Sequence, residues 1–98
     1  MHARLITTHV KLENLEELSD VYRDAILPET RKNRGYIAAY LMADRESGKV
    51  ASLTFWETEE DLRQDLVYIQ RQIRKVLDLL TGPPVVEIYE VNVADPEP

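Results

Sequence analysis

Three short segments of this chain are apolar at both odd and even positions, and that pattern constrains the fold more than any other feature. Tyr36 to Ala43 carries Ile37, Ala39 and Leu41 at one parity and Tyr36, Ala38, Tyr40 and Met42 at the other. Val50 to Trp56 sets Ala51, Leu53 and Phe55 against Val50, Ser52, Thr54 and Trp56. Val85 to Val93 sets Val86 and Ile88 against Val85, Tyr89 and Val91. Successive strand residues point to opposite faces. An antiparallel sheet with one wet face alternates apolar and polar residues. These strands do not, so both faces of their sheet need cover.

The rest of the chain offers too little cover. Arg4 to Val10 is β-branched and reads as a further strand. Asn14, with Glu17 behind it, opens a helix whose stripe is Leu15, Leu18, Tyr22, Ala25 and Ile26. Pro28 should end or kink that helix, a last turn follows it, and Gly35 is the stop. Asp44 to Lys49, with Gly48, is a hairpin loop. Thr58 caps a second helix, with Leu62, Leu66, Ile69, Ile73, Val76, Leu77 and Leu80 at helical spacing, closed by Gly82-Pro83-Pro84. The order is β-α-β-β-α-β, an α+β ferredoxin-like domain with a four-stranded antiparallel sheet. Two helices cover one face of such a sheet. The other face is expected to meet a second copy of the chain, making a homodimer.

Composition narrows the function classes. The chain has 98 residues, one domain's worth, with residues 93–98 expected to be a flexible tail. There is no cysteine, which excludes disulfides, thiolate chemistry and Cys-ligated metal. The net charge of -6 argues against nucleic acid and anionic membrane as partners. No secretory signal or long apolar run is evident, so a cytoplasmic location is expected.

The stretch Pro28, Arg31, Gly35, Tyr36, the hairpin, and then Leu53-Thr54-Phe55-Trp56-Glu57-Thr58-Glu59-Glu60-Asp61 resembles the antibiotic biosynthesis monooxygenase family. The element order over residues 4–93 agrees. The resemblance implies a dimeric α+β barrel, with sheets packed face to face. It implies that Trp56 faces a pocket between sheet and helices, sharing its face with Val50, Ser52 and Thr54. Ala51, Leu53 and Phe55, with Ile37, Ala39 and Leu41, would then form the dimer face. Members include cofactor-independent oxygenases of aromatic polyketides, isomerases and haem-degrading enzymes. The haem-degrading branch uses a first-strand asparagine and a second-helix histidine. Thr8 stands at the former position, and no histidine lies near Leu66 and Val67, which argues against haem.

The remaining candidates each have a plain structural role beside a functional one. Trp56 is either a core residue with its N–H satisfied or a wall for a flat ligand. His9 has no sequence-near triad or metal partner and reads as a surface residue. Arg4 shares the face of Thr8, where it is an exposed strand-end residue or a fork for an anion. Glu59, Glu60 and Asp61 fit the positive end of a helix without a metal. Arg63, Arg71, Arg74 and Lys75 read as the solvated face of the second helix. Tyr36, Tyr40 and Tyr89 are candidates for a phenol-lined cavity, and the polar and aromatic groups that the oxygenase branch places around the tryptophan would come from Tyr36, Tyr40, Tyr68 and Arg63.

The expected protein is a monooxygenase-like homodimer needing no cofactor or metal. It acts on a small apolar or aromatic molecule, with Trp56, Thr8, Tyr36, Tyr40, Ser52 and Thr54 around the pocket. The alternative is a non-catalytic dimeric protein that binds or senses a small ligand on the same fold.

Overall fold

The computed structural model describes residues 1–98. Strands β1 (His2–His9), β2 (Tyr36–Ala43), β3 (Lys49–Trp56) and β4 (Val85–Glu90) form one antiparallel sheet in the order β2-β3-β1-β4. Helices α1 (Leu15–Val21) and α2 (Leu27–Thr30) are joined by a π-helical turn over Tyr22–Ile26 and run as one element. Helix α3 (Glu59–Arg74) is the second element of the helical layer. No helix is long and apolar enough to cross a membrane.

Several local expectations change in the folded chain. Asn14 makes no side-chain cap, because a 3₁₀ turn over Leu12–Asn14 already places it in helical backbone. The last turn expected at Pro28 is α2, and Pro28 does not end the helical element. The preceding π turn, in which the Leu27 N–H reaches the Tyr22 carbonyl, absorbs the proline at the start of α2. Thr58 does cap α3, its hydroxyl accepting the Asp61 N–H at 3.0 Å. The α3 stripe stops at Arg74 rather than running to Leu80. The chain unwinds there so that Leu80 can bridge Val10, which leaves Leu77 exposed.

The most consequential difference is a bulge. Tyr36 pairs with Trp56, but the next pair is Ala38 with Phe55, so Ile37 is an extra residue in β2. From that point the parity of β2 is reversed. Ala39 pairs with Thr54 and Leu41 with Ser52, which puts them on the helix-covered face. Tyr40 pairs with Leu53 and Met42 with Ala51, which puts them on the open face. The expected assignment of Ala39 and Leu41 to the dimer face and of Tyr40 to the pocket is therefore inverted. A strict two-residue period cannot anticipate one inserted residue.

On the covered face, Val10, Leu15, Leu18, Ile26, Val50 and Val76 form a buried aliphatic cluster. Toward the other end, Trp56 and Leu62 are completely buried. The open face presents Ala38, Tyr40, Met42, Ala51, Leu53, Phe55, Leu5, Val85 and Tyr89. Tyr40, Met42, Val85 and Tyr89 are each more than 40% exposed, so nothing within the chain covers this apolar surface.

Gly35 links the helical layer to β2. Its φ is +81°, and a Cβ there would lie 2.1 Å from the Asp61 carboxylate. Gly35→Ala should lower unfolding free energy by at least about 1–2 kcal/mol, the cost of left-handed backbone alone. Gly82, where a Cβ meets nothing within 4 Å, is the control. Gly82→Ala should stay within about 0.5 kcal/mol in the same urea titration.

Candidate functional site

A cavity lies between the sheet and the helices, at the join between the aliphatic cluster and the Trp56 end. Strands β1 and β3 supply Arg4, Ile6, Thr8, Val50, Ser52 and Thr54 to it, and β2 supplies Leu41. The α1–α2 element supplies Leu18, Tyr22, Ile26 and Thr30, spaced by four along its length. Ile69, Gln72, Ile73 and Val76 close it from α3 and the turn beyond. Of 17 lining residues 10 are hydrophobic, so an occupant must bury an apolar body. About 90 Å³ is open to the centres of water molecules. Each enclosed water needs about 10–15 Å³ on that measure and displaces about 30 Å³ of liquid, so the space suits a molecule of one or two rings.

Polar groups enter this wall at few points. The Tyr22 hydroxyl lies 3.0 Å from the Ser52 hydroxyl. One of the two donates to the other, which leaves a second O–H able to point elsewhere. Burial pushes the Tyr22 phenol above its ordinary pKa, opposed by the Ser52 hydrogen bond. Tyr22 is thus a neutral donor at physiological pH rather than a base. Thr8 donates its hydroxyl to the Gly82 carbonyl at 3.0 Å. Gln72 donates its Nε2 to Glu29 at 2.9 Å, while its Oε1 is buried with no partner.

Arg4 is the one lining residue that carries a formal charge at neutral pH. It is 5% exposed, not the exposed strand-end arginine of the sequence reading. Its Nη1 donates to Asp65, itself 4% exposed, and Asn33 donates its Nδ2 to the other oxygen of the same carboxylate. The guanidinium sits over the Trp56 ring, 5.7 Å from the centroid, a cation–π distance. Its Nε is buried without a partner. An unmet buried donor costs about 1–3 kcal/mol.

The expected site residues fall into three sets. Thr8, Ser52 and Thr54 line the cavity. Trp56 and Tyr36 lie just beyond its end rather than on its wall. The Trp56 N–H donates to the Thr54 hydroxyl at 3.0 Å, and Tyr36 packs edge-on against the indole at 6.0 Å. Tyr40 is on the opposite face, edge-on to Phe55 at 6.3 Å. Tyr68 and His9 are exposed.

Elsewhere several charges at the start of α3 and just beyond its end are engaged, while Arg71 and Arg74 are exposed. Glu59 accepts from Arg63, Asp61 from Arg34 at 2.6 Å, and the Arg34 hydrogen bond holds the Asp61 carboxyl below the usual aspartate range. Lys75 is not on a purely solvated face. It crosses to the Ala25 carbonyl at 2.9 Å and Glu29 at 3.1 Å.

Three site residues were missed in the sequence, and one had left a signal. Asp65 lies three residues after Leu62 and four before Ile69, on the buried stripe. A carboxylate there requires a buried cation, and Arg4 is the residue that meets it. Tyr22 had been placed on the helix stripe without its hydroxyl partner, and Gln72 carries no pattern of its own.

Removing one member of the buried pair leaves the other uncompensated. Arg4→Met or Asp65→Leu alone should cost about 3–5 kcal/mol, and Arg4→Met with Asp65→Leu should recover most of it. Urea unfolding of the two single variants and the double variant checks this.

No protein-family model matches the chain. An uncharacterised protein of Mycobacterium tuberculosis is 25% identical over 91 residues, which cover 93% of this chain and 41% of that protein. The chain thus spans about two-fifths of the length of the curated relatives it matches. Among solved structures, a Streptomyces coelicolor monooxygenase in complex with nanaomycin D superposes with a TM-score of 0.77. It is 19% identical, with 95% of this chain and 88% of that chain covered. A Deinococcus radiodurans protein named for the antibiotic biosynthesis monooxygenases gives a TM-score of 0.77 at 18% identity, covering 96% and 95%. A Nitrosomonas europaea protein of the same designation gives 0.76 at 14% identity, covering 95% and 100%. The element order, the sheet order and these superpositions together give the chain the fold of the antibiotic biosynthesis monooxygenases.

Proposed function

We propose that the protein is a monooxygenase-like enzyme, independent of any cofactor, that acts on a small apolar or aromatic molecule in the cavity between sheet and helices. The observation that carries this reading is the cavity itself, an apolar chamber with a hydroxyl pair, Tyr22 and Ser52, set into its wall. The Streptomyces coelicolor monooxygenase of the same fold is in complex with nanaomycin D, which supports a small-molecule occupant here. A protein without a cofactor can serve such a reaction by burial and orientation. A substrate CH2 carbon gives a proton to water and bonds to dioxygen as a peroxide, which takes a proton back. The O–O bond then breaks as the carbon's second hydrogen leaves as a proton, one oxygen staying as a carbonyl and the other leaving as water. Tyr22 would hold the substrate oxygen as a donor while this happens.

One observation favours a second reading, a protein that binds or senses the same class of molecule without turnover. No carboxylate or imidazole lines the cavity, so the wall carries no ready proton acceptor. Oxygen uptake separates the two. With a two-ring phenol such as 1,5-dihydroxynaphthalene as probe and no added metal or flavin, the protein should accelerate oxygen consumption over the uncatalysed rate. Tyr22→Phe should reduce that acceleration by about 100-fold, the lower end for losing a positioned proton-transfer or donor group. Saturable binding with no added oxygen consumption would favour the binding protein instead.

The working form in this proposal is a homodimer joined through the open sheet face. Tyr40, Met42, Phe55 and Tyr89 give it a surface that water covers at a cost, and a second copy offers the same surface. Sedimentation at micromolar concentration should give a dimer mass, and Phe55→Glu should give a folded monomer. A wild-type monomer would remove this part of the proposal.

A further inference from the structure

The cavity wall has a property that the oxygenase reading leaves unused. Its single formal charge is the Arg4 guanidinium, and no carboxylate faces it. Asp65, which neutralises Arg4 overall, stands behind it on α3 and is not part of the wall. The arginine is fixed from several sides. Asp65 holds Nη1, Asn33 holds Asp65 in turn, and the Trp56 ring lies under the guanidinium. Arg4 has five N–H donors. The ion pair with Asp65 uses Nη1, and Nε is left without a partner in a buried setting. The guanidinium therefore retains donor capacity at the cavity end, where low polarity strengthens a charge-assisted hydrogen bond.

The hydroxyl pair agrees in sense. Tyr22 is kept as a neutral phenol, and of the Tyr22–Ser52 pair one O–H remains to donate. Ser52 sits one step along β3 from Thr54, the residue paired with Arg4 across the sheet, so both donors lie along one side of the chamber. The opposite end, by Leu18, Val50, Val76 and Leu80, is aliphatic. A chamber with a cation and donors at one end, and no base anywhere, does not suit a substrate that must be deprotonated after it binds.

We propose that the cavity takes its ligand as a preformed oxyanion, the ionised enol or phenol of a one- or two-ring aromatic molecule, with its oxygen on the Arg4 guanidinium and its rings against the aliphatic end. Asp65 is a positioning residue that fixes the arginine. The proposal rests on the small-molecule reading of the cavity and names the charge state that reading leaves open. It also accounts for the missing base, since an acidic enol or phenol gives its proton to water before it enters.

Paired probes of nearly equal shape test it. 2-Hydroxy-1,4-naphthoquinone is an anion at neutral pH, and 2-methoxy-1,4-naphthoquinone is its neutral counterpart. By calorimetry at pH 7, the hydroxy compound should bind the wild-type protein about 10-fold or more tightly than the methoxy compound. The double variant Arg4→Met with Asp65→Leu, checked for folding by circular dichroism, should lose that preference. It should still bind the methoxy compound within about 3-fold of wild type, a span of under 1 kcal/mol. A merely structural role for the pair would weaken both probes together. Equal binding of the two probes by wild type overturns the proposal and leaves the cavity reading standing. Binding of neither probe overturns both. The wild-type comparison decides the matter even where the variant fails to fold.

Discussion

A buried ion pair organises the half of the fold that contains the cavity and Trp56. Arg4 on β1 and Asp65 on α3 meet beneath the helical layer, and each is almost wholly withdrawn from water. Two charges in that setting persist only when each has a partner and further hydrogen bonds. Asn33 supplies one such bond to Asp65, and the Trp56 ring supplies a polarisable surface to Arg4. The pair thereby fixes the position of α3 over the sheet at the Trp56 end. The aliphatic cluster around Leu18, Val50 and Val76 fixes the other end. The cavity is the space these two anchors leave between them.

The outline of the fold was legible in the sequence because its signals are local. Thr58 announced the α3 cap, Gly48 the hairpin loop, and the double-sided apolar strands an uncovered sheet face. The details that failed are those that depend on a single residue meeting a distant one. The bulge at Ile37 cannot be read from the composition of β2, because Ala38, Ala39 and Tyr40 suit either face equally well. One inserted residue then sends Tyr40 outward and Leu41 inward. Pro28 shows how much a local signal leaves open, since the last turn it was expected to start is α2. Its effect on a helix is strong, but the π turn before it found a way to keep the helix running.

The candidate site was legible only in part for the same reason. Ser52, Thr54 and Thr8 fall on the cavity wall by simple alternation from Trp56 and Arg4. Trp56 itself is a support: it holds Thr54 by hydrogen bond and Arg4 by its ring, and both of those residues reach the cavity. Tyr22 follows Leu18 by one regular helical turn, and its hydroxyl meets that of Ser52 across the cavity wall.

In the proposed reading a small aromatic ligand occupies this chamber with its polar end toward Arg4. A crystal structure of the protein with 2-hydroxy-1,4-naphthoquinone should then place the rings between Leu18 and Val76 and an oxygen within hydrogen-bond distance, roughly 2.7–2.9 Å, of the Arg4 guanidinium. Ligand density confined to the open sheet face, or a chamber filled by rearranged side chains, would contradict it.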